Sequence, residues 1–112
     1  YLLNIFEIGL DKLTNITTIN NYVFSADYCL KSLDLSGITQ LASIGYDFLY
    51  YSYALKDFYL PSQSPTTFTT SKTDFMTYVN ANCNLWTTQE FLSDYQGTTP
   101  WDTRADYIQA LD

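Results

Sequence analysis

Hydrophobic positions along this chain recur at three- and four-residue intervals, the spacing that gathers side chains on one face of an α-helix. Leu2, Leu3, Phe6, Leu10 and Leu13 predict a first helix. The stretch 14–21 is β-branched and Asn-rich, which favours a break. Val23, Ala26, Cys29, Leu30 and Leu33 form a second apolar stripe. Ser36 is a candidate cap for a long third helix over 36–59, stopped by Pro61. Wound at about 100° per residue, that helix gathers Ile38, Leu41, Ile44, Gly45, Phe48, Ser52, Leu55 and Tyr59 on a core face. Tyr46, Tyr50, Tyr53 and Asp57 then follow on an adjacent strip, with Gln40, Ser43 and Asp47 on the far side.

The rest of the chain is punctuated by turn and cap chemistry. Segment 61–70 is rich in Pro, Ser and Thr and is expected to be a mobile loop. Ser71 with Asp74, and Thr87 with Glu90, have capping-box spacing. Thr99-Pro100-Trp101-Asp102 offers a cap, a proline at the first helical position and an acid in the first turn. Gly97 fits the end of the preceding helix. Helices are therefore predicted near 72–82, 88–95 and 100–111, with strand alternatives only around 14–19 and 66–70. No internal repeat is evident. The expected architecture is all-α: one domain over 1–112, a compact bundle of five to six helices with one long central helix.

Composition limits what such a domain can do. Of 112 residues, 46% are hydrophobic and 18% aromatic, so even a short chain can bury a real core. Twelve acidic residues against five basic ones give a net charge of −7. That field repels phosphate backbones, so no nucleic-acid partner is expected. No apolar run is long enough for a membrane span. The start at Tyr1 rather than Met suggests a processed chain or a piece of something longer, and 1–10 lacks the basic start of a signal peptide.

Chemistry is constrained by what is missing. Without any His, the Ser-His-Asp and Cys-His catalytic arrangements and His-ligated metal or haem sites are excluded. No phosphate-binding glycine motif occurs among four glycines, so no cofactor is expected. Asp102 with Asp106, and Glu90 with Asp94, sit one helical turn apart but read better as solvated charges than as acid–base pairs. Cys29 and Cys83 allow one pairing and are expected to form a disulfide, the alternative being two buried thiols. The sequon Asn15-Ile16-Thr17 is a possible glycosylation site and, with the disulfide, points to an extracytoplasmic or secreted setting.

The tyrosine strip is the most distinctive surface in this reading, because Tyr supplies large amphipathic area at low entropic cost. The expected function is non-enzymatic: an interaction or assembly subunit that binds a protein partner or copies of itself. Tyr46, Tyr50, Tyr53, Asp57 and Trp86 are its candidate contact residues. The alternatives are a carrier for a small apolar ligand, a carboxylate-dependent enzyme, and an accessory fragment of a larger complex.

Overall fold

A computed structural model describes residues 7–9, 15–20, 30–45, 49, 52–70 and 79–112. Eight short strands occur among them: β1 (Glu7–Gly9), β2 (Thr18–Ile19), β3 (Ser32–Asp34), β4 (Ser43–Ile44), β5 (Asp57–Tyr59), β6 (Thr69–Thr70), β7 (Asn84–Thr87) and β8 (Ile108–Ala110). They form two parallel sheets, one ordered β1-β3-β5-β7-β8 and the other β2-β4-β6. Down to β7 the chain visits the two sheets alternately. Each circuit thus lays one strand beside its predecessor in both sheets, and the result is a parallel coil, a small solenoid.

Register shows the period. Glu7 pairs with Ser32 and Ser32 with Asp57, a step of 25 residues each time. In the second sheet Thr18 pairs with Ser43, again 25 residues on, and Ser43 with Thr69. The next step in the large sheet, from Asp57 to Asn84, is 27 residues. Inward positions repeat with it: Leu30, Leu33 and Leu35 in one circuit, Leu55, Phe58 and Leu60 in the next, all buried. Removing each such side chain from water contributes about 1.5–3 kcal/mol.

These observations overturn the all-α bundle. The fold is α/β, and a repeat is present that the helical reading passed over. In place of the long helix over 36–59, the described residues of that span form a turn at 36–37, strand β4, a turn at 53–54 and strand β5. Ser36 does not cap a helix: its N–H and hydroxyl both donate to Asp34 Oδ1, at 2.8 and 2.6 Å, closing a tight turn after β3. The physical reason lies in spacing. Inward residues of the first full circuit, Leu30, Leu33, Leu35, Ile38, Leu41 and Ile44, step by three, two, three, three and three. A helix face needs threes and fours, and the two-residue step from Leu33 to Leu35 is the alternation of a strand.

The two places where a strand remained open in the sequence do hold strands, β2 and β6. Segment 61–70, expected as a mobile loop, contains a 3-10 turn at Pro65–Thr67 and strand β6. Ser64 caps that turn, its side chain accepting from the Thr66 N–H at 3.4 Å. Gln63 occupies the position of Ile38 one circuit later and is buried. Its Oε1 accepts from the Leu41 N–H at 2.7 Å, and its Nε2 donates to the Leu41 carbonyl at 3.0 Å and to Thr67 Oγ1 at 2.8 Å. One amide side chain thereby joins two successive circuits as a backbone pair would.

Between β7 and β8 the pattern changes. Helix α1 (Gln89–Gly97) stands close to the predicted 88–95, but its N-cap is Thr88, and Thr87 is buried at the end of β7. The predicted helix over 100–111 is a 3-10 segment, Trp101–Tyr107, that runs into β8. The Thr99–Pro100 peptide is cis. Trp101 is buried at the centre of an aromatic group, with Tyr95, Phe68 and Phe58 at centroid distances of 5.4, 6.1 and 6.3 Å. The Tyr95 hydroxyl donates to the Pro61 carbonyl at 2.9 Å and burial holds its phenol protonated well above the usual range. The predicted helix over 72–82 falls mostly outside the described residues.

The expected disulfide is also corrected. Cys83 is a free thiol buried in the core. It closes the turn into β7, where its sulfur lies 3.5 Å from the Asn84 carbonyl. Burial pushes the thiol up to about 12; Arg104 draws it down and Asp57 adds to the rise. Cys29 lies outside the described residues.

Candidate functional site

Alternation along each strand of the large sheet sends one set of side chains into the core and the other away from it. Leu33, Phe58, Leu85 and Ile108 make the inward row. On the outward side the register lines up two rows across the strands. One runs Ser32, Asp57, Asn84. The other runs Asp34, Tyr59, Trp86, Gln109. In a stack of parallel strands such rows recur about every 4.8 Å.

The described side chains of these rows are partly exposed and already organised. Trp86 Nε1 donates to Asp57 Oδ1 at 3.0 Å. Gln109 Nε2 donates to Asn84 Oδ1 at 2.8 Å, the same diagonal step one strand further on. Tyr59 and Trp86 lie side by side with their ring planes 21° apart and centroids separated by 6.4 Å. Asp34 is held by Ser36 through Oδ1. Asp34 and Asp57 each use Oδ1 in these bonds, and Oδ2 of neither has a partner among the described residues. The face is backed from beneath, because Phe58, between Asp57 and Tyr59 on β5, packs towards Trp101.

Of the contact residues expected from sequence, the structure brings together Asp57 and Trp86, from different strands rather than one helix. Tyr53 is exposed on the turn after Ser52, where its carbonyl accepts from Asn80 Nδ2 at 2.7 Å. Tyr46 and Tyr50 lie outside the described residues, and Tyr53 stands on a turn rather than on a helix. Asn15 and Thr17 of the sequon are exposed. Asp34, Tyr59, Asn84 and Gln109 were missed. Their signal was alternation with buried neighbours, Leu33 and Leu35 around Asp34, Phe58 and Leu60 around Tyr59.

Among the described residues no group of three or more acidic or cysteine side chains is placed to hold a metal ion. Among them, too, no helix is long and apolar enough to cross a membrane. No family model, no curated protein and no solved structure matches this chain.

Proposed function

We propose that this chain is a non-enzymatic interaction module that binds a protein partner on the outward face of its five-stranded sheet. The observation that carries the reading is the Asp57–Trp86–Tyr59 group: a half-buried indole fixed by a hydrogen bond and set beside a second ring on the next strand. Aromatic side chains held in place before binding lose little entropy on contact, which is why Trp and Tyr dominate interface hot spots. Solenoid repeats suit the purpose, since each circuit adds a strand that extends the outward rows into one continuous surface.

The test is a selection of random dodecapeptides displayed on phage against the parent protein, followed by titration of the enriched peptides against Trp86→Ala. Peptides whose affinity falls at least roughly tenfold in the variant support the reading, as expected for an aromatic hot spot. Enriched peptides that bind both proteins equally, or no enrichment, contradict it.

A further inference from the structure

We infer that the partner segment recognised by this face is a cationic one, an exposed stretch of polypeptide bearing arginine or lysine; this rests on the reading of the face as a protein-binding surface. The inference starts from Tyr59. Across the sheet its neighbours in the row are Asp34 on β3 and Trp86 on β7. Along its own strand, two residues back and on the same side, stands Asp57. One aromatic ring is thus bordered by two carboxylates and a second ring.

An aromatic face attracts a cation through its quadrupole, and guanidinium stacks on such rings while its N–H groups bond to carboxylates. Both requirements meet here within one or two residue positions. The hydrogen bonds already made reinforce the point: Oδ1 of each Asp is engaged by Ser36 or Trp86, which fixes the carboxylate, while Oδ2 of each has no partner among the described residues. No Lys or Arg occupies an outward position among the described residues of β3, β5, β7 and β8. Lys31 and Lys56 stand one residue ahead of Ser32 and Asp57, before their strands begin.

Charge complementarity also selects between occupants. A second copy of this chain carries −7 and would bring the same carboxylates against the same face. Like charges juxtaposed in an interface cost affinity and suppress the pairing. A basic segment gains on both counts, from the local carboxylates and from steering by the whole molecule.

The test uses three dye-labelled synthetic peptides of equal length, in which serine alternates with arginine, glutamine or glutamate, titrated by fluorescence anisotropy. The proteins are the parent, Trp86→Ala, the double variant Asp34→Asn with Asp57→Asn, and a control, Asp94→Asn with Asp106→Asn. Asparagine keeps the Oδ1 acceptor for Ser36 and for Trp86, so the double variant removes charge while leaving those bonds in place. The control acids are exposed and lie outside the sheet, on α1 and the 3-10 segment. At about 150 mM salt, where distant exposed charges are screened, the arginine peptide is expected to bind the parent roughly tenfold or more tighter than the glutamine peptide. That advantage should disappear in Asp34→Asn/Asp57→Asn and persist in the control. Equal binding of arginine and glutamine peptides, still dependent on Trp86, overturns the cationic inference and leaves the interaction reading standing. Arginine-peptide binding that falls equally in the control overturns it as a whole-molecule charge effect. Binding indifferent to every face variant overturns both, and no binding of the arginine peptide overturns the inference.

Discussion

The two tryptophans divide between core and surface. Trp101 is 1% exposed and touches three aromatic rings, so Trp101→Ala is expected to cost about 3–5 kcal/mol in urea unfolding. Trp86 is half-buried on the outward face, and Trp86→Ala removes one hydrogen bond to a carboxylate and little core packing. Its expected cost is about 1–2 kcal/mol, and equal losses in the two variants would contradict the division. Cys83 supplies a second residue-scale expectation. Its folded-state value of about 12 lies above the ordinary 9.0, so folding favours the protonated thiol. That contribution is complete below pH 9.0 and is lost as pH rises from 9.0 towards 12. The urea midpoint should therefore fall on going from neutral pH into that window. A thiol reagent at neutral pH should modify Cys83 only after denaturation, and rapid labelling of Cys83 in the native protein would show that the thiol is not enclosed.

Among the elements, Gln63 shows how one circuit is fastened to the next. Gln63→Leu would match the apolar Ile38 of the preceding circuit in shape, yet it strips partners from both the N–H and the C=O of buried Leu41. Leaving buried backbone groups unpaired is expected to cost about 2 kcal/mol or more. Hydrogen exchange at the Leu41 amide should accelerate in the variant, and an unchanged exchange rate would mean that the side chain is not its clamp. The same elements show what was legible in the sequence. Helix α1 could be read, because Gln89–Gly97 carries ordinary helix formers, with Glu90 in the first turn and Gly97 at the end. The sheets were harder to read from periodicity, since strands of two to four residues show only a single alternating step, as from Leu33 to Leu35, within a longer run of three-residue steps. Yet the repeat is written in the chain: Leu30-Lys31-Ser32-Leu33-Asp34-Leu35 returns as Leu55-Lys56-Asp57-Phe58-Tyr59-Leu60. Self-comparison at a fixed offset finds this where a helical wheel does not. The candidate face was hidden for the same reason. Asp57 stood out beside tyrosines on an imagined helix, whereas Asp34 and Tyr59 become its neighbours only once the 25-residue step is known.

For the whole molecule, the net charge of −7 and the arrangement of parallel circuits point to the same behaviour. At neutral pH copies repel one another, and lowering the pH towards 4.1 should promote self-association that light scattering detects. Particle size unchanged on approach to that pH would show that charge is not what keeps copies apart. A heterologous basic partner, by contrast, should bind at neutral pH and more weakly as salt rises. The most direct measurement of the proposed binding face is an amide and indole chemical-shift map of the protein titrated with the serine–arginine peptide. The expected result is a contiguous set of shifts at Asp34, Asp57, Tyr59 and Gln109, with the Trp86 indole N–H among the largest and that of Trp101 unmoved. Shifts gathered on α1 and the 3-10 segment, with the Trp86 indole unchanged, would contradict the assignment of this face.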